Sequence, residues 1–237
     1  MWREQQWREP RGAVGAIAVQ PKSQLWFVPP VGRGLGPSAG CTDQEQRWGE
    51  ALPQSRREQY WRSRAALRLL VAPLLGHEPR QLPLQSPPGL PPRLPAELGW
   101  VSLSHAAGAL LIAWSPCPVG VDLEAGNRRF AARALLQRFY PDPEQRQLAG
   151  LAGEDLRSAV LRSWLVKEAV IKAQQSSLAR ELPLWWLDHA SGTLHHVVTD
   201  RVVKPLEGGL TGWRWAVVGE AFEPPQPGPL TWQFEGG

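Results

Sequence analysis

Between residues 12 and 28 the apolar positions fall into two short runs, Gly-Ala-Val-Gly-Ala-Ile-Ala-Val and Gln-Leu-Trp-Phe-Val, broken at Pro21, which predicts two strands joined by a turn. Residues 31–40 read as a Gly/Pro loop. From Ser55 to Leu75 the period lengthens: Tyr60, Ala65, Leu67, Leu70, Val71 and Leu74 share one helical face, with Ser55 as the expected N-cap and Gly76 as the stop. The proline-rich segment 77–95 reads as a surface connector. Strands follow at 101–104, 108–114 and 119–124. A helix carrying Phe130, Ala134, Leu135 and Phe139 is expected to end at Pro141, and another to run from about Gly153 to Gln174. Strand-like stretches at 184–187, 193–199 and 212–218 complete the pattern, and the last fifteen residues read as a loosely attached tail.

Composition narrows this picture. The 237 residues are 43% hydrophobic and 20% charged, enough apolar content for a core, and Gly and Pro together make about a fifth of the chain. The thirteen Trp are scattered without period, so no repeat architecture follows. Cys41 and Cys117 stand alone, which excludes a thiol zinc site and gives no disulfide framework. Neither a signal-peptide pattern nor an apolar run of membrane-spanning length occurs, and the expectation is a cytoplasmic protein without membrane association. The net charge of +4 points to anionic partners. Only four of the 26 basic residues are Lys, so each lysine invites a question.

Two of those lysines sit in one helix. Leu161, Trp164 and Leu165 form an apolar stripe whose continuation falls on Glu168 and Lys172, placing two charges where burial is expected. On an exposed helix the pair is an i,i+4 contact worth about 0.2–0.5 kcal/mol. In a buried setting both charges require partners. The strand Val119-Gly-Val-Asp-Leu-Glu124 offers them, because period-two alternation sends Gly120, Asp122 and Glu124 to one face and Val119, Val121 and Leu123 to the other. Asp-x-Glu on a strand is often only a solvent-facing edge. With Glu168 added, the three carboxylates make a hard-oxygen set suited to Mg²⁺, and Lys172 stands one turn beyond to neutralise a phosphate. No assembled Ser-His-acid set, His-x-x-x-His pair, GxxxxGK[ST] or GxGxxG motif accompanies them.

The order Ser104-His105, then Val119-Gly-Val-Asp-Leu-Glu124, then Trp164-Leu-Val-Lys-Glu-Ala-Val-Ile-Lys172 resembles the Sfp-type 4′-phosphopantetheinyl transferases. Their hallmarks are a Ser-His strand, (V/I)G(V/I)D(I/L)E and WxxKEAxxK. The basic helix segment Arg62-Ser-Arg-Ala-Ala-Leu-Arg68 is similar to that family's, as is the spacing of about forty residues between the acidic motifs. The resemblance implies an α/β (α+β) fold of two similar subdomains related by pseudo-twofold symmetry, 1–117 and 118–237, with coenzyme A between them. The second subdomain would carry the metal-binding acids. By the same resemblance, Asp122, Glu124 and Glu168 hold Mg²⁺ on the coenzyme A pyrophosphate, Arg64 and His105 contact the 3′-phosphate of coenzyme A, Ser104 belongs to the cofactor-binding set, and Lys172 meets the pyrophosphate. Glu168 would take the proton of an acceptor serine on an apo acyl- or peptidyl-carrier protein, and 3′,5′-ADP would leave. Lys167 projects away from the metal on the helical wheel.

Two segments depart from the family pattern. Gly89-Leu-Pro91 stands where many members have Gly-Lys-Pro, and Gln174-Gln-Ser-Ser-Leu178 replaces a Gly-x-Gly-Leu turn, as in a cyanobacterial branch. Arg56 and Arg57 stand in for the family's upstream phosphate-contacting lysines or are simply solvated helix charges. The rival readings are a non-catalytic coenzyme A or nucleic-acid binding module and a Mg²⁺-dependent phosphodiesterase. The expectation is a transferase, a pseudo-dimeric monomer with no nucleic-acid partner.

Overall fold

The structure, a computed structural model, describes residues 22–30 and 40–227. The expected strand at 12–19 lies outside these residues, as does nearly all of the 31–40 loop. Strand β1 (Gln24–Val28) pairs antiparallel with β3 (Ala109–Ser115), which pairs antiparallel with β2 (Trp100–Ala106). All seven residues of β3 are buried, because both of its faces are covered. Leu110, Ile112 and Trp114 meet the 21-residue helix α2 (Gln54–Leu74) in one core, whereas Ala109, Leu111 and Ala113 face a second sheet.

That second sheet has the order β4–β9–β8, from β4 (Gly120–Ala125), β9 (Trp213–Val218) and β8 (Leu206–Leu210). Val121, Leu123, Trp215 and Val217 fill the space between the two sheets, and Ala216 and Val218 point the other way, into a core built on helix α5 (Gly153–Ala173). The result is four layers, helix, sheet, sheet, helix, in a mixed α/β architecture. Three elements serve as buttresses to α5: α3 (Ala132–Phe139), α4 (Asp142–Leu148) and a small sheet of β5 (Trp185–Asp188), β6 (Thr193–His196) and β7 (Val202–Val203). Two short helices remain, α1 (Asp43–Glu50) before α2 and α6 (Leu178–Glu181) after α5.

Several expectations are corrected. The N-cap of α2 is Pro53 rather than Ser55, whose residue already lies inside the helix. Phe130 precedes α3 rather than starting it, and α4 was not foreseen. Segment 77–95 is more than a surface connector: Leu82, Leu84 and Ser86 are buried, and Arg68 of α2 holds the segment by donating to the Pro79, Leu82 and Leu84 carbonyls. Of the expected tail, residues 228–237 lie outside the described residues; within 223–227, β10 (Gln226–Pro227) pairs parallel with Trp26–Phe27 of β1. Gly76 ends α2 as expected, at φ +69, with its N–H on Pro73 O and the next N–H on Ala72 O.

Candidate active site

The site forms where β2 and β4, edge strands of the two sheets, meet under α5. Gly120 makes that approach feasible: a Cβ there would stand 2.0 Å from Ala169 O and 2.3 Å from Ala173 N. The helix backbone therefore rests on the strand, and the Gly120, Asp122, Glu124 face looks at α5, as the alternation requires. Ser102 Oγ accepts the Val121 N–H at 3.0 Å and stitches the edges together.

Asp122 is nearly fully buried, and its Oδ1 accepts from Ser104 Oγ at 2.7 Å and from Lys172 Nζ at 2.7 Å. Lys172 also reaches Ser104 Oγ at 3.3 Å and Glu168 Oε2 at 3.3 Å, so its three donors meet three acceptors. Burial opposes its charge, yet Asp122 and Glu168 hold its pKa above the ordinary lysine value. Burial raises the Glu168 carboxyl and the Asp122 charge adds to this, with Lys172 opposing. Glu124 pairs with Arg128, whose guanidinium lies 5.7 Å from the ring centres of both Phe130 and Trp164. Burial, with the Asp122 and Glu168 charges, nevertheless pushes Glu124 up to about 7.

The three acids thus share one neighbourhood and repel one another, and two cations separate them. Among the described residues no cluster of three or more His, Cys, Asp or Glu side chains is arranged to hold a metal ion. Asp122 Oδ2, however, is buried without a hydrogen-bond partner. The chemistry of that orphaned oxygen, with two further carboxylates in its neighbourhood, suits a hard divalent cation, although the three are not gathered into a ligating cluster.

Beside this set opens a cavity of about 740 Å³. Arg64, His105 and Lys172 line it, facing the 88–93 loop. Lys172 keeps 31% of its side chain exposed, which lets one ammonium serve both the acids and the cavity. Arg64 donates from Nε to Ser86 O and from Nη1 to Ser63 Oγ, each at 3.2 Å, and stacks 4.8 Å from the Tyr60 ring centre. Burial lowers the His105 pKa and the Lys172 and Arg64 charges lower it further against Asp122, which favours the neutral imidazole. Ser104 departs from its expected place: its hydroxyl is spent on Asp122 and Lys172, and Ser102 lines the cavity instead.

Lys167 lies on the opposite side of α5, as the helical wheel requires. It is fully buried against Glu144, 3.4 Å from the Tyr140 ring centre, and burial pushes it down to about 8. The sequence reading missed the residues that brace Arg64. Glu45 of α1 accepts from Arg68 Nε at 2.7 Å and from Ser86 Oγ at 2.5 Å, and the Ser86 carbonyl accepts from Tyr60 Oη and Arg64 Nε. A signal for it existed: Thr42-x-x-Glu45 is a capping box, with both of its reciprocal bonds present. Arg128 had no comparable signal.

The 4′-phosphopantetheinyl transferase superfamily model matches residues 118–217, the stretch that carries β4, α5 and the second sheet. A Synechocystis sp. protein named as a 4′-phosphopantetheinyl transferase is 29% identical over 207 residues, covering 82% of this chain and 78% of that one. Over these stretches the chain is similar to the 4′-phosphopantetheinyl transferase superfamily. The similarity to a Synechocystis protein agrees with the branch resemblance at residues 174–178. Among the described residues no helix is long and apolar enough to cross a membrane.

Proposed function

We propose that this enzyme transfers 4′-phosphopantetheine from coenzyme A to a serine hydroxyl of an apo acyl- or peptidyl-carrier protein and releases 3′,5′-ADP. The observation that carries the reading is Lys172, which joins Asp122, Glu168 and Ser104 on one side and opens onto the Arg64 and His105 cavity on the other. In this reading Arg64 supplies a charged donor to the 3′-phosphate and neutral His105 a ring N–H. Lys172 offsets charge on the pyrophosphate oxygens. Glu168, with its raised pKa, accepts the serine proton as the serine oxygen bonds to the β-phosphorus and the bond to the nucleotide oxygen breaks. Asp122, Glu124 and Glu168 would hold Mg²⁺, with Asp122 Oδ2 the donor already free. When bound, the ion supplies further charge neutralisation at the transferring phosphate.

The same reading takes residues 1–117 and 118–237 as two similar subdomains of a cytoplasmic, pseudo-dimeric monomer. Its net charge of +4 suits an acidic carrier surface and predicts a salt-sensitive on-rate. Calorimetric titration with coenzyme A and with 3′-dephospho-coenzyme A tests the nucleotide assignment. The wild-type chain should prefer coenzyme A by about tenfold or more, and Arg64→Met should erase most of that preference. Equal affinity of the wild-type chain for both ligands would contradict it.

A further inference from the structure

Helix α5 ends in the same capping geometry as α2. The Gln175 N–H bonds to Lys172 O at 3.0 Å and the Ser176 N–H to Ile171 O at 3.1 Å, a Schellman motif whose turning residue takes a left-handed conformation. In α2 that residue is Gly76. In α5 it is Gln175, at φ +51, a conformation glycine adopts without steric penalty and glutamine does not. The Gln175 side chain is exposed, so its amide is open to solvent and to a ligand. It lines the cavity beside Arg64 and Lys172 and stands between that cavity and two neighbouring recesses, one of about 150 Å³ formed with Pro92, Arg93 and Val101 and one formed with Trp100, Cys117 and Lys204. The first recess adjoins the proline loop, where Leu90 occupies the place of an expected lysine.

A left-handed, exposed residue at the wall of a ligand cavity is a candidate for ligand contact rather than for fold stability. A carboxamide offers a donor and an acceptor side by side, which matches the paired acceptor and donor on the edge of an adenine. We propose that Gln175 is a binding residue of the nucleotide cavity, its amide reading the nucleobase end of the ligand. This rests on the coenzyme A reading given above.

The test uses the full chain and compares wild type, Gln175→Gly and Gln175→Ala by thermal unfolding and by calorimetric titration with coenzyme A and with 3′,5′-ADP. Gln175→Gly should raise the melting temperature by about 1–3 °C through relief of the left-handed strain, while both ligands lose about three- to tenfold in affinity. Gln175→Ala should show the same affinity loss without the thermal gain. Undiminished binding of both ligands by Gln175→Gly would overturn the proposal, and so would a loss confined to coenzyme A with 3′,5′-ADP unaffected. Because wild type is titrated alongside, absence of any wild-type binding would instead overturn the coenzyme A reading on which the proposal rests.

Discussion

Helices α2 and α5 are each 21 residues long, each covers the outer face of one sheet, and each buries a salt bridge, yet the two bridges are built differently. On α2 the pair is closed. Arg68 donates to Glu45 and to three backbone carbonyls, and Glu45 also takes bonds from Ser86 Oγ and the Thr42 N–H. On α5 the pair is open. Lys167 meets Glu144 through one carboxylate oxygen, and the other, Oε1, is buried without a hydrogen bond, 3.7 Å from His189 Nε2. The first bridge organises backbone, joining α1, α2 and the 79–86 segment into the wall that carries Arg64. The second fills space on the side of α5 away from Glu168 and Lys172. A buried charge pair earns its place only where its remaining donors and acceptors are also satisfied.

The largest effect expected separates the two faces of α5 itself. On the proposed reading, Glu168→Gln should lower turnover by about 10²–10⁴-fold while leaving the melting temperature nearly unchanged, whereas its neighbour Lys167 is fully buried against Glu144 on the other side of the helix. Steady-state rates with melting curves check this, and retained turnover would remove Glu168 from the proton transfer.

Next come the two bridges. Arg68→Met and Lys167→Met should each destabilise by about 3–5 kcal/mol, because each strands a buried carboxylate. The paired replacements should then diverge. Lys167→Met with Glu144→Leu should return to within about 1 kcal/mol of wild type. Arg68→Met with Glu45→Leu should stay about 3 kcal/mol or more below it, because Ser86 Oγ and three carbonyls lose partners. Urea denaturation midpoints decide the matter, and equal recovery of both double variants would break the comparison.

A smaller effect concerns acid. Burial alone would raise the Glu45 carboxyl, but the bonds from Arg68, Ser86 and Thr42 outweigh it and leave its folded pKa below the ordinary value of 4.5. A carboxyl lowered on folding stabilises above its unfolded pKa and loses that contribution as pH falls through the folded one. Stability should therefore decline below about pH 4.5, and Glu45→Gln should flatten that limb while lowering stability at neutral pH. Smallest of all is the helix end. Gly76→Ala should cost about 1 kcal/mol through backbone strain alone, since a Cβ at Gly76 meets nothing within 4 Å.

Much of the site's frame was legible because its signals are local. Alternation put Asp122 and Glu124 on one face, the 3.6-residue period put Glu168 and Lys172 toward them, and Gly76 marked the end of α2. What was hidden depends on contacts distant in sequence. Ser86 looks like part of a surface loop until Glu45 and Arg68 pull its segment into the core from 41 and 18 residues away. Arg128 is one charge among many in a chain with 22 arginines, and its pairing with Glu124 emerges only once the turn after β4 is folded. The hydroxyl contacts of Ser104 with Asp122 and Lys172 could not be read from the resemblance that singled it out, because they join residues 18 and 68 positions apart. Gln175 was visible as a departure from a glycine turn, but its left-handed backbone was not.

The central claim, that the Lys172 cluster and its adjoining cavity transfer phosphopantetheine, is met most directly by intact-protein mass spectrometry. An apo carrier protein would be incubated with this chain, coenzyme A and Mg²⁺, with a parallel sample containing EDTA. The account predicts a gain of one phosphopantetheinyl group that disappears with EDTA. No gain on fatty-acid, polyketide or peptide carriers, despite measurable coenzyme A binding, would contradict it.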